Sequence, residues 1–176
     1  MTRHRESIAI AMQGKQGRVP EQGGPPDRPR PPDGPPPRDS HCTCAVLRRT
    51  ARRVTQAYDL ALRPAGVKLT QYSVLANVLH DGGLSITGLA ERLAMDRTTL
   101  TRNLRPMERA GWIEIGPGPD RRSRAVRITA AGRRVFDAAF PLWQAAERGF
   151  RRGLGRDTAA ELRRLLDLAL KQAGGA

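Results

Sequence analysis

Between residues 96 and 127 the chain gathers side chains suited to one kind of chemistry. The run Asp96-Arg97-Thr98-Thr99-Leu100-Thr101-Arg102-Asn103-Leu104-Arg105 places hydroxyls and guanidinium groups around a helix, with Leu100 and Leu104 on its opposite side. Threonine hydroxyls and arginine forks are suited to phosphate oxygens and base edges, and the fork fits the two acceptors of guanine. Arg97, Thr98, Thr99, Thr101, Arg102 and Arg105 are therefore the candidate DNA-reading residues. A second set, Asp120-Arg121-Arg122 with Arg124, follows the Gly/Pro-rich stretch Gly116–Pro119. An arginine projecting from a narrow hairpin tip can enter the minor groove, where the negative potential favours it. A carboxylate is out of place against a polyanion, so Asp120 is read as wing support, holding one of its neighbouring arginines by a charge-assisted bond. No nucleophile–base pairing, metal-spaced cluster or phosphate-cradling glycine loop is found, so an enzyme is not expected and neither is a cofactor or metal.

These residues need a helix pair and a hairpin to position them. Ser85 opens a helix with Ile86, Leu89, Ala90 and Leu93 facing inward. Small Ala90 allows close approach, Ala94-Met95-Asp96 makes a tight turn, and Asp96 caps the next helix. Pro106 should bend the second half of that helix, because it removes the bond to the carbonyl of Arg102. Trp112–Ile115 and Arg124–Ile128 are short β-type runs around a Gly/Pro-rich loop, hence a hairpin with a long tip. Before the pair, Leu47, Ala51, Val54, Tyr58 and Ala61 form one stripe of a long helix closed by Pro64 and Gly66, and Thr70 is the expected cap of the following helix. After the hairpin, Thr129 caps a long helix that Pro141 should kink, and Thr158 with Glu161 reads as the capping box of the last helix. The fold class is mainly α with a small β-hairpin wing: a winged helix-turn-helix between N- and C-terminal helices.

Charge agrees with this placement. Of 176 residues, 31 are Lys or Arg against 17 Asp or Glu, a net charge of +14, and all but three of the basic residues are arginine. Residues 1–40 hold nine of the 14 prolines and the run Gly23–Arg38, GGPPDRPRPPDGPPPR, which predicts a disordered arm. The arm is nearly neutral, whereas residues 86–134 carry eleven basic against five acidic residues. Such an excess implies nucleic acid or another polyanion as partner. No apolar run approaches the roughly 18 residues that span a bilayer, so a cytoplasmic protein without membrane contact is expected. Two cysteines, Cys42 and Cys44, exclude a disulfide-stapled scaffold. At i and i+2 they do not easily close an intramolecular bond.

The run LAERLAMDRTTLTRNLRPMERAGWIEI, followed by PDRRSRAVRITAAGRRV, resembles the MarR family of bacterial transcription regulators. The most specific element is Asp120-Arg121-Arg122, then Ile128-Thr129 and Gly132, and the resemblance extends over about residues 42–172. It implies a domain over residues 41–176, with the winged helix-turn-helix at about 70–129 and dimerisation helices at about 42–64 and 130–173. It further implies a homodimer on a palindromic operator, a repressor released by a small-molecule effector or an oxidant. Thr98, Thr99, Thr101, Arg102 and Arg105 would then read the major groove, and Arg122, oriented by Asp120, the minor groove. Cys42 and Cys44 become candidates for oxidant sensing. Asn103 departs from the family pattern, which places an apolar residue there. Independently, Val135, Phe136, Phe140, Trp143, Phe150, Leu162, Leu165 and Leu166 offer more apolar surface than a small winged helix can cover, which also argues for a dimer. The alternative from charge alone is a non-specific or architectural nucleic-acid-binding protein.

Overall fold

Residues 42–118 and 123–174 are described by the computed structural model. The proline-rich arm and the wing-tip residues Asp120, Arg121 and Arg122 lie outside them. The chain divides into two compact units at Gln56/Ala57. The described part of the first is Cys42 and the start of helix α1 (Thr43–Leu62). Several of its apolar side chains stand exposed, Val46, Leu47 and Ala51 among them.

In the second unit the end of α1 is buried through Tyr58, Ala61 and Leu62. A 3-10 turn, Arg63–Ala65, follows, and Gly66 closes it at φ 68°, a left-handed conformation that favours glycine. Helix α2 (Leu69–His80) begins one residue before the expected cap, Thr70. Its first amides are met differently: Asp59 Oδ1 of α1 accepts from Leu69 N at 2.7 Å, and Gln71 Oε1 accepts from Lys68 N at 2.9 Å. A carboxylate from the preceding helix does what a local hydroxyl was expected to do.

Then come β1 (Leu84–Ser85), α3 (Ile86–Arg92), α4 (Arg97–Arg109), β2 (Ile113–Pro117), β3 (Arg124–Ile128), α5 (Ala130–Leu154) and α6 (Arg156–Gly174). The hairpin is part of a three-stranded antiparallel sheet in the order β1-β3-β2. Two residues suffice for β1, Leu84 pairing with Val126 and Ser85 with Ala125. No periodicity marks a strand that short. Both internal prolines lie inside continuous helices, Pro106 in α4 and Pro141 in α5. Helix α6 starts at Arg156, so Thr158 is within it and Glu161 pairs with Arg164 at 2.7 Å rather than closing a capping box.

The main core lies under the sheet. Val74, Leu75 and Val78 of α2, Leu89 and Ala90 of α3, Leu100, Leu104 and Met107 of α4, Ile113 and Val126 form one buried cluster. A second cluster joins Leu62, Val67, Tyr72 and Ala139. Tyr72 stacks on Phe136 at 5.4 Å and on Trp143 at 5.6 Å, so α2 and α5 meet through rings. Burial pushes the Tyr72 phenol up to about 12. Tyr58 donates to Glu147 Oε2 at 2.6 Å, and burial together with that carboxylate raises its phenol further still. Both phenols therefore stay neutral.

Candidate nucleic-acid interface

Two caps set the helix pair. Ser85 Oγ accepts from Gly88 N at 3.0 Å to begin α3, and Asp96 Oδ1 accepts from Thr99 N at 2.8 Å to begin α4. Between them Ala94 sits at φ 50°, and Met95 N donates to Ala90 O at 2.9 Å, which folds the chain back tightly. The hydroxyl and backbone of Thr99 hold the Asp96 carboxyl below its ordinary range. A negative charge at the first turn of α4 also complements the helix dipole.

The fully buried residues Leu100, Leu104 and Met107 fix which face of α4 is left outside. A shallow groove on that face is lined by Arg97, Thr98, Thr101, Arg102 and Arg105. Among the described residues, none of these three guanidinium groups has an ion-pair or hydrogen-bond partner. The threonines differ in their commitments. Thr99 is exposed, but its hydroxyl belongs to the Asp96 cap. Thr101 is half-buried and gives its hydroxyl proton to Arg97 O at 2.7 Å, leaving oxygen lone pairs outward. Thr98 is exposed. Arg109, also exposed, lies four residues beyond Arg105 and so continues the basic strip. That i+4 spacing was the available signal for it.

Asn103, the polar residue at an apolar place, is half-buried and donates from Nδ2 to Met95 Sδ at 3.8 Å. It ties the turn to the second turn of α4. Arg92 at the end of α3 is not free for a ligand either, being paired with Asp81 at 2.8 Å.

The wing follows from strand register. Ile113 pairs with Ile128 and Pro117 with Arg124, and Gly118 N donates to Ser123 O at 2.9 Å as the last described rung. Arg124 is exposed next to the wing tip, and its Nη2 donates to Ile115 O at 3.2 Å. At the other end Thr129 joins three elements. Its hydroxyl donates to Gly111 O after α4 and accepts from Gly132 N at 3.0 Å in α5, while its amide donates to Trp112 O at 3.0 Å. A Cβ on Gly132 would overlap the Trp112 carbonyl, so only glycine fits that crossing.

Comparison with known proteins decides what this arrangement belongs to. MosR of M. tuberculosis, solved in complex with DNA, superposes with TM-score 0.68 at 38% identity over 76% of this chain and 96% of that one. HosA of Escherichia coli O127:H6, a transcriptional regulator, is 30% identical over 102 residues, 57% of this chain and 73% of HosA. The chain belongs to the MarR family. The MarR family model matches residues 65–123, which takes in α2, the helix pair and β2. BadR of Rhodopseudomonas palustris, a transcriptional activatory protein, is 35% identical over 81 residues, 44% of this chain and 46% of BadR. MarR-family members are transcriptional regulators, and this chain is one of them. No described helix is long and apolar enough to cross a membrane.

In this MarR-family chain Cys42, just before α1, and Cys44, in its first turn, are both exposed free thiols. Arg48, Arg49 and Arg52 line the same shallow depression.

Proposed function

We propose that this chain is a sequence-specific repressor, working as a homodimer on a palindromic operator. The observation that carries it is the arginine and threonine strip on α4, with the guanidinium groups of Arg97, Arg102 and Arg105 unpartnered among the described residues, at the end of the helix that a helix-turn-helix inserts into the major groove. Arg97, Thr98, Thr101, Arg102 and Arg105 contact DNA there, and Thr99 contributes its cap and methyl. On the wing, Arg122, oriented by Asp120, takes the adjacent minor groove, and Arg121 and Arg124 are further DNA-binding candidates. The DNA complex of the similar MosR supports this reading.

The dimer has its own support. In the single chain Leu165, Leu166, Leu168 and Leu170 of α6 and Phe140 of α5 are exposed, and α6 buries no residue at all. A second copy covers these side chains and sets two α4 helices about one DNA turn, ~34 Å, apart. Repression requires only that the bound dimer occupy a promoter, with no further contact surface. Release follows from a small effector or from oxidation at Cys42 and Cys44, whose exposure leaves them open to reaction.

Footprinting on the intergenic DNA beside its own gene, with bulk DNA as competitor, tests the proposal. Preference of roughly 10³-fold or more is expected. Equal affinity for both would replace the repressor with a non-specific nucleic-acid binder.

A further inference from the structure

The β2 strand lies at the free edge of the sheet. Trp112 O accepts from Thr129 N and Gly118 N donates to Ser123 O, so even-numbered residues of β2 face β3. The backbone groups of Ile113, Ile115 and Pro117 therefore face outward. Unpaired edge groups of this kind leave a strand free to fray or to pair with another chain. Pro117 removes one of the outward N–H groups. Two outward carbonyls are met by arginines from the central strand. Arg124 Nη2 donates to Ile115 O, and Arg127 Nη2 donates to Pro117 O at 3.0 Å. Three residues apart on β3, the two side chains leave opposite faces and reach the same edge.

The course of Arg127 is prepared by glycine. A Cβ on Gly116 would lie 3.3 Å from Arg127 Nη1, and one on Gly83 would lie 3.5 Å from Arg127 Cγ. Gly116 has ordinary backbone angles, so conformational freedom is not what requires glycine there. Space for the guanidinium is.

We propose that Arg127 is a positioning residue of the wing, a strap that runs over Gly116 to the Pro117 carbonyl, with Arg124 as its counterpart on the other face. The strap holds the last rungs of the hairpin and thereby sets how the wing is presented to DNA. Its role in DNA binding rests on the regulator reading above; its role in the hairpin does not. Arg124 and Arg127 thus act through the strand they brace, even though both belong to the basic run of the wing.

Two variants test this, Arg127→Ala and Gly116→Val. The valine leaves every charge in place but fills the path of the guanidinium. In the free protein, amide exchange at Gly116 and Gly118 should rise roughly fivefold in both, the effect of losing one ordinary hydrogen bond. Affinity for a duplex selected from a random pool should fall about five- to tenfold in both, with the slope of log K against log salt unchanged. If Arg127 instead contacts a phosphate, its removal flattens that slope by roughly 1 per subunit and Gly116→Val binds normally; that result overturns the strap. Unchanged exchange in both variants overturns it as well, whatever DNA does. A wild-type protein that selects no duplex sinks the regulator reading and the strap's part in it, leaving the exchange result to decide the hairpin.

Discussion

Helix α6 is the place where the proposed dimer can be tested most directly. Leu165, Leu166 and Leu168 are 47%, 43% and 47% exposed, and Leu170 is 62% exposed. Fully burying a leucine stabilises by roughly 1.5–3 kcal/mol, so covering the exposed half of each gives about 1 kcal/mol. Two-fold symmetry counts every residue twice, and the four leucines then contribute about 8 kcal/mol to association. The double variant Leu165→Ala/Leu166→Ala removes four of these side chains per dimer, about 4 kcal/mol, and alanine keeps the helix. At 1.4 kcal/mol per decade the dimer dissociation constant should rise on the order of 10³-fold. Sedimentation equilibrium over a range of protein concentrations measures it, and far-ultraviolet circular dichroism checks that the helices persist. A wild-type chain that is monomeric at micromolar concentration refutes the dimer. A double variant that dissociates no more readily than wild type shows that α6 is covered by something other than a second copy.

Three further outcomes are expected. Arg102→Ala should weaken operator binding by about 1–3 kcal/mol and relax preference at one base position, measured by competition among single-base operator variants; unchanged preference removes Arg102 from base reading. Gly132→Ala should lower stability by roughly 2–3 kcal/mol in chemical denaturation, since the added methyl meets backbone rather than a side chain that can move. Asp96→Ala should lower the melting temperature near neutral pH, and the difference from wild type should close in acid. The sign follows from the lowered carboxyl. The cap's contribution is complete above the ordinary aspartate range and is lost as pH falls through the lowered value. A difference that persists after Asp96 is protonated would assign the effect to something other than its charge.

The helix pair was legible because its signals are local. Ser85 and Asp96 cap as residues of their type do, and Leu89, Ala90, Leu100 and Leu104 keep helical spacing. The failures were mostly non-local, Glu161 being the local exception. Thr70 lost its role to Asp59 eleven residues earlier in the chain, β1 exists only through its pairing with Ala125 and Val126, and Glu161 turned forward to Arg164. Among the candidate site residues, type and spacing placed the arginines of α4 on one surface. They could not show that the hydroxyls of Thr99 and Thr101 were already engaged within the helix, or that Arg124 lay bonded to Ile115. A side chain's partner is decided by what folding brings near it, and periodicity carries only part of that.

Thr129 and Gly132 have a mechanical consequence. One hydroxyl spans the end of α4 and the start of α5, and the missing Cβ lets the two press together without a gap. These bonds and the close contact tie the end of α4 to the start of α5. Helix α5 has 25 residues and is roughly 37 Å long. Tilting such a rod by about 10° swings its far end by roughly 6 Å. In the proposed dimer, two α4 helices that must match a spacing of ~34 Å would not absorb a shift of that size. On the proposed reading, a small tilt of α5 would thus translate into a misfit on DNA.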